Sequence, residues 1–389
     1  MSESFKATDG AFVAGTYNRF PVEIVAGKGA VWTAVDGKEY IDMGSGIGVN
    51  SFGCLDDEWR QAVIAQLGKI QHTSNLYYTE PCAKLARILC ERTGMKKVFF
   101  CNSGAEANEC AIKVARKYAS DKKGEGHSTI ITMQNGFHGR TLTTLAATGQ
   151  EHYHELFQPL TPGFVSTPVN DIAALEACIK VNSPAAIMLE CIQGEGGVNV
   201  LDKAFVQAAA RIAKEQDILL IVDEVQTGNG RTGKLYSYMH FDIEPDVVST
   251  AKGLGGGLPL GATLMSEKVQ GVLGFGDHGS TFGGNPVCCA GAISILSRLT
   301  EEFLAEVSRK SQIVFDELSK APGVQAVSGI GLMIGVKPET KPAGDVVKAC
   351  MEKGVLCLTA KDKVRLLPPL NIPEETLRKA LAVIKAALA

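Results

Sequence analysis

Several features that would narrow the class of this 389-residue sequence at once are missing from it. Its 11 cysteines, an odd number, include no C-x-x-C pair; they are scattered through apolar segments (Cys101, Cys110, Cys178, Cys191) or adjacent as Cys288 and Cys289. That distribution argues against a disulfide framework or a zinc site and fits small buried thiols in a reducing compartment, so no metal is expected. No apolar run approaches the ~20 residues of a membrane-spanning helix. The opening "MSESFKATDG" lacks the charged-then-apolar layout of a signal peptide, so a cytoplasmic protein without a membrane partner is expected. Neither sign of charge is in excess: the net charge of -3 gives no footprint for nucleic acid. Internal repeats and low-complexity linkers are also lacking.

What remains is an ordinary globular composition, 45% hydrophobic and 21% charged, in a chain long enough for two domains. From about residue 54, helical spacing ("DDEWRQAVIAQLGKI", "AEANECAIKVARKYA") alternates with short, continuous, β-branched runs ("KKVFF", "STIITM", "AAIMLE", "ILLIVDE", "DVVST"). Runs of that kind are strands buried on both faces of a parallel sheet, and the fold class is α/β. The last third differs. A long helical stretch from "NPVCCAGAISIL" precedes two strand-like segments, "VQAVSGIGLMIGVKPE" and "GVLCLTAKDKVRLLPPL", which read as antiparallel, and a final helix, "PEETLRKALAVIKAALA". A second, smaller α+β domain is expected, with the boundary near residue 283.

Ligands bind at the carboxyl ends of the strands in an open parallel sheet, and here five expected strands run into polar groups: Asn102 and Ser103, His138 and Arg140, Glu190 and Glu195, Asp223 and Gln226, and Lys252. Ser103-Gly104-Ala105-Glu106 fits a capping box. It is either a well-started helix only, or a helix start whose free N–H groups at Gly104 and Ala105 and Ser103 hydroxyl hold a phosphate. Asp223 ends a very apolar strand and needs a cation opposite it, either a Lys or Arg or a protonated pyridine nitrogen. Strand alternation puts Val225 on the same side as Asp223. Lys252 precedes its glycines, the reverse of a phosphate-binding P-loop, but a lysine there can condense with an aldehyde and then shuttle protons. A phosphate cup, a carboxylate for a ring nitrogen and a lysine for an aldehyde together describe pyridoxal 5'-phosphate. The rival is a dinucleotide fingerprint in "GNGRTG" (Gly228, Gly230, Gly233), which requires a helix to follow directly; "KLYSYMHFDIEPD" is a poor one.

The motifs "HTSNLYY", "NSGAEANE", "GFHGRT", "QGEGG", "VDEVQTGNGRTG", "TAKGLGGGLPLGA" and "STFGGNP", in this order, resemble those of the class III (ornithine-type) aminotransferases of fold type I. The resemblance runs from "TYNRFPVEIV" to "VRLLPPLNI". It implies a large cofactor-binding domain at 53–282 with a mainly parallel central sheet, and a small α+β domain built from both termini, 1–52 and 283–389. It further implies pyridoxal 5'-phosphate bound through Lys252, with Asp223 at the pyridine nitrogen, Gln226 at the ring hydroxyl, and Val225 and Phe137 on the two ring faces. Glu224, in the same motif, is grouped with the cofactor-binding residues. Ser103, Gly104 and Ala105 are expected at the phosphate, joined by Thr281 of a neighbouring subunit, so that a homodimer completes each site.

For the substrates, the resemblance assigns one carboxylate to Arg140 and the glutamate or 2-oxoglutarate carboxylate to Arg365. Glu195 neutralises Arg365 while the ω-amine donor is bound. Ser280 is expected near the acylated amine end of the donor. Tyr17 and Asn75 occupy places where the family contacts ligand, although a tyrosine near an N-terminus and a loop asparagine are more often structural. Glu190 falls near the cofactor, His152 and His154 around Tyr153 read as a surface turn, and Cys101 as core. Within the family, "NSGAEANE", "GFHGRT" and "STFGGNP" incline toward the branch acting on N-acetylornithine in arginine biosynthesis, ahead of those acting on ornithine, succinylornithine, succinyl-diaminopimelate or 4-aminobutyrate.

Overall fold

The computed structural model describes residues 4–389. A seven-stranded sheet runs Lys97–Cys101, Gly261–Met265, Val247–Thr250, Leu219–Asp223, Ala186–Leu189, Ile130–Met133, Phe164–Thr167 in spatial order. The strands are mutually parallel except Gly261–Met265, which is antiparallel to both its neighbours. All residues of the four central strands from Val247–Thr250 to Ile130–Met133 are buried, as their unbroken apolar pattern predicts. Alternate residues feed two cores. Leu219 and Ile221 pack with Ala111, Val114 and Ala115 of the helix Gly104–Lys123, whereas Leu220 and Val222 pack with Phe205, Val206 and Ile212 of the helix Lys203–Glu215. Each buried Leu, Ile, Val or Phe among these contributes roughly 1.5–3 kcal/mol, so the sheet is held from both faces and its strand ends are fixed in place.

The remainder gathers both ends of the chain. Strands Ile24–Lys28, Val31–Ala34 and Glu39–Asp42 form an antiparallel meander extended in parallel by Val355–Leu356. Strands Val324–Ile330, Met333–Pro338, Lys363–Leu366 and Leu358–Ala360 form a second antiparallel sheet. Helices Ala343–Glu352 and Glu374–Leu388 share a separate core with these sheets, through Val346, Leu381, Ile334, Leu366 and Met43. The helix Pro286–Arg298 packs instead on Asp57–Leu67 and Glu80–Thr93 in the large core. The change of core falls later than residue 283, inside the helix Glu301–Leu318: Val307 belongs to the large core and Val314 to the small one. Buried Arg231 ties the two parts, its Nη1 donating to the carbonyls of Leu332 (3.1 Å) and Pro368 (2.5 Å). Among the described residues, no helix is long and apolar enough to cross a membrane.

Candidate active site

The polar strand ends meet at one cavity of about 470 Å³, lined among others by Ser103, Gly104, Phe137, Arg140, Asp223 and Lys252, a size suited to a small ligand. One wall is the start of the helix Gly104–Lys123. Ser103 caps it, its Oγ accepting from the Glu106 N–H at 3.2 Å. The Glu106 carboxylate reaches one residue further back than a capping box requires, accepting from the backbone N–H of Asn102 at 2.6 Å and from its Nδ2 at 2.9 Å. Glycine is required at position 104, because a Cβ there would lie 2.6 Å from Val225 Cγ1. The backbone N–H groups of Gly104 and Ala105 therefore stay accessible at the positive end of the helix dipole.

Asp223 is 3% exposed and fully engaged. Its Oδ1 accepts from the Val225 N–H (2.9 Å), and its Oδ2 from Asn108 Nδ2 and His138 Nδ1, both at 2.8 Å. Among the described residues, no Lys or Arg pairs with it. Burial disfavours the imidazolium of His138, but the hydrogen bond and charge of Asp223, with Glu190 nearby, outweigh burial and raise its pKa. Glu190 is also buried, accepting from the N–H groups of Phe137 (2.8 Å) and Gly194 (3.1 Å). Burial and the Asp223 charge push its carboxyl up against the opposing pull of His138.

Lys252 begins a 3-10 turn directly after the strand Val247–Thr250. Its φ of 47° is left-handed, a conformation costing a non-glycine residue about 1–3 kcal/mol and typical of functional sites. Among the described residues the Lys252 amine has no hydrogen-bond or ion-pair partner. Burial lowers its pKa, partly offset by the carboxylates of Asp223, Glu195 and Glu190, which brings the nucleophilic neutral form closer to hand than in a free lysine.

Two arginines stand at the site in different states. Arg365 is buried, and its Nη1 donates to Glu195 Oε1 at 2.6 Å and to Gln226 Oε1 at 3.0 Å; Gln226 Nε2 donates to the same Glu195 oxygen at 3.1 Å. Burial alone would raise the Glu195 pKa, but the charge and hydrogen bond of Arg365, aided by Lys252 and Gln226, hold it below the ordinary value. Arg140 is exposed at the cavity and forms no ion pair among the described residues; its guanidinium lies over the rings of Tyr153 (4.7 Å) and Phe137 (5.7 Å).

Other expected residues lie elsewhere. Glu224 faces away from the cavity and is not placed to touch a cofactor there, because strand alternation sends it opposite to Asp223. Its carboxylate accepts from Thr227 Oγ1 (2.5 Å), Ser237 Oγ (2.7 Å) and the Tyr238 N–H (2.8 Å). Tyr17, 73% exposed, borders separate hollows near Arg19 and Phe20. Ser280 and Thr281 line a different hollow, together with Asn75, Tyr77 and Tyr78. In this chain Asn75 secures that loop, donating to the carbonyls of Ser280 (2.8 Å) and Gly283 (2.9 Å). Gly228, Gly230 and Gly233 belong to a series of turns leading to a 3-10 turn at Ser237–His240, so no helix follows them and the dinucleotide device is absent. Among the described residues, no group of three ligating side chains could hold a metal. His138 is one of the polar strand ends expected at the site, but its pairing with Asp223 is not predicted by the sequence, and Asn108 is marked only by its place in the motif "NSGAEANE".

Residues 12–388 match the family model "Aminotransferase class-III". An acetylornithine aminotransferase of Haemophilus ducreyi is 52% identical over 388 residues, covering 100% of this chain and 99% of that protein. One from Methanocaldococcus jannaschii is 46% identical over 366 residues, covering 92% of this chain and 91% of its own length. Among solved structures, the ornithine aminotransferase from Toxoplasma gondii ME49 superposes with a TM-score of 0.94 at 34% identity, over 99% of this chain and 94% of that one. The N-acetylornithine aminotransferase from Stenotrophomonas maltophilia K279a gives 0.85 at 34% identity, over 98% and 97%. The chain belongs to the class-III aminotransferases, with the fold-type I architecture of that family and pyridoxal 5'-phosphate as its cofactor. The residues fit the group: a half-buried lysine amine with no partner among the described residues, a carboxylate fixed by Val225, Asn108 and His138, and a helix start where a Cβ at Gly104 would collide with Val225.

Proposed function

We propose that the chain transfers the δ-amino group of N2-acetyl-L-ornithine to 2-oxoglutarate, giving N-acetylglutamate 5-semialdehyde and glutamate, as a step of arginine biosynthesis in the cytoplasm, and that it works as a homodimer. The observation that carries the reading is the contrast between the two arginines: Arg140 is free for a carboxylate, while Arg365 is neutralised by Glu195 at 2.6 Å. A donor with one free carboxylate needs one arginine, whereas 2-oxoglutarate, with two, needs both, so Glu195 must release Arg365 for the second half of the reaction. The relatives at 52% and 46% identity named acetylornithine aminotransferase support the acylated donor.

In this reading Ser103, Gly104 and Ala105 hold the cofactor phosphate, Val225 and Phe137 cover the ring faces, and Asp223 faces the pyridine nitrogen, its carboxylate oriented by His138 and Asn108. Pyridoxal 5'-phosphate, when bound, supplies an electron sink for the carbon that bears the transferred amine. Lys252 would hold the cofactor at its aldehyde carbon and would carry the proton at the reacting carbon, a task helped by the lowering of its pKa on burial. Gln226, hydrogen-bonded to both Glu195 and Arg365, links the ring's surroundings to the substrate gate.

A panel of ω-amino donors with 2-oxoglutarate tests the assignment. N-acetylornithine should give the highest kcat/KM with ping-pong kinetics, and ornithine or 4-aminobutyrate outrunning it by a wide margin would refute the donor while leaving the class intact. Glu195→Ala should move preference toward glutamate, because Arg365 then stands permanently open; unchanged relative kinetics would count against the gate.

A further inference from the structure

Arg140 poses a problem that Arg365 does not. A long exposed side chain samples many rotamers, and fixing it on a substrate carboxylate costs the entropy of that freedom. Arg365 is fixed by a carboxylate, which must then be displaced; Arg140 has none. It rests on aromatic faces instead, its guanidinium carbon 4.7 Å from the centre of the Tyr153 ring and 5.7 Å from that of Phe137. The two rings meet edge to face at 5.8 Å and 67°.

Both supports are themselves fastened. The Phe137 N–H is held by Glu190 at 2.8 Å. The turn Glu151–Tyr153 is closed by the Tyr153 N–H on the Gln150 carbonyl (3.1 Å) and anchored by His154 Nε2 on the Leu145 carbonyl (2.9 Å), with the His152 ring 3.9 Å from that of Tyr153. Tyr153 does not line the cavity, whereas Phe137 and Arg140 do.

We propose that Tyr153 is a positioning residue: its ring sets the guanidinium of Arg140 for the substrate carboxylate and thereby sets the preference for donors that carry one. The contact uses the ring face and consumes none of the five N–H donors, so the planar fork stays complete for a carboxylate. It is the ring and not the hydroxyl that acts. The proposal rests on the reading of Arg140 given above and adds to it the source of its orientation.

The test compares kcat/KM for N-acetylornithine with that for N-acetylputrescine, the same donor without its carboxylate, using the cofactor-loaded enzyme. Tyr153→Ala should shrink this ratio roughly tenfold, within the range a cation–π contact supports, chiefly through KM for N-acetylornithine. Tyr153→Phe should keep the ratio, and Tyr153→Leu, which preserves bulk, should behave as Tyr153→Ala does. The dissociation constant of N-acetylnorvaline, which has the carboxylate but no δ-amine, should rise in the same proportion. A general disturbance of the pocket would lower both donors together and leave the ratio intact, which would overturn the proposal. Arg140→Ala separates the levels. If it collapses the ratio while Tyr153→Ala does not, the platform is wrong and Arg140 stands; if Arg140→Ala also leaves the ratio unchanged, both assignments fall.

Discussion

A half-buried lysine amine left without a hydrogen-bond partner among the described residues is a cost the fold bears. Burial lowers the pKa of Lys252 below the ordinary lysine value, so between its lowered pKa and that value the unfolded chain binds a proton the folded chain does not. The stability penalty is therefore full at pH below the lowered pKa and fades as pH rises toward the ordinary lysine range. Lys252→Ala should abolish transamination and leave no peptide that borohydride can tag with the cofactor. Freed of cofactor, this variant should nevertheless melt no lower than the cofactor-free parent, and any advantage should shrink from neutral pH to about pH 10. Thermal denaturation of the two cofactor-free proteins across that range checks it, and an advantage that grew with pH would contradict the origin of the shift. In the proposed gate the same balance of stability against use operates at Glu195, whose ionised form is held by Arg365.

At the scale of elements, the close approach of the strand Gly261–Met265 to the helix start decides whether the phosphate wall can form. A Cβ on Gly261 would fall 2.3 Å from the carbonyl oxygen of Ser103 and 2.8 Å from Cys101 Sγ. The nearer atom is backbone, so the strain, of order 1–3 kcal/mol, should displace Ser103 itself. Gly261→Ala should weaken cofactor retention about tenfold, measured by equilibrium dialysis, and adding Cys101→Ala should not restore it. This strand was invisible in the sequence because its first residue reads as the end of the glycine-rich turn, and Phe164–Thr167 escaped as a short edge strand whose residues are mostly only partly buried. The strands buried on both faces were legible, since continuous β-branched runs have no other common use. Lys252, Asp223 and Ser103 were legible for a related reason: each is a polar residue at the end of such a run. The partners that hold Asp223 were not, because Asn108 and His138 lie 115 and 85 residues away and only the folded sheet brings them together. The alternation that puts Val225 beside Asp223 turns the Glu224 side chain the other way, onto Thr227, Ser237 and Tyr238, and a shared motif carries no information on that direction.

In the whole molecule, Thr281 stands apart from the cavity that its expected role requires. It is exposed in a hollow shared with Tyr77 and Tyr78, and Tyr78 and the adjacent Phe282 are exposed at 105% and 60%. Large apolar groups clustered in this way mark a surface used for association. The loop is nevertheless tied to its own site, with Asn102 Nδ2 donating to Ser280 Oγ at 3.3 Å and Asn75 clamping Ser280 and Gly283. If a homodimer completes each site, Thr281 serves the partner's phosphate, and defects can be complemented across the dimer. Thr281→Ala alone should lose cofactor on dilution, and Lys252→Ala alone should be inactive. Unfolded together and refolded as a mixture, about half of the dimers would combine one chain of each kind if pairing is random. In these the Thr281→Ala chain keeps Lys252 and receives an intact Thr281 from its partner, so one of the two sites is whole. About a quarter of the parental activity should therefore return in the diluted mixture, from two preparations that are each inactive under the same conditions. A mixture no more active than the sum of its parts, with mixed dimers demonstrated by differential tags, would place Thr281 in the service of its own chain or of neither.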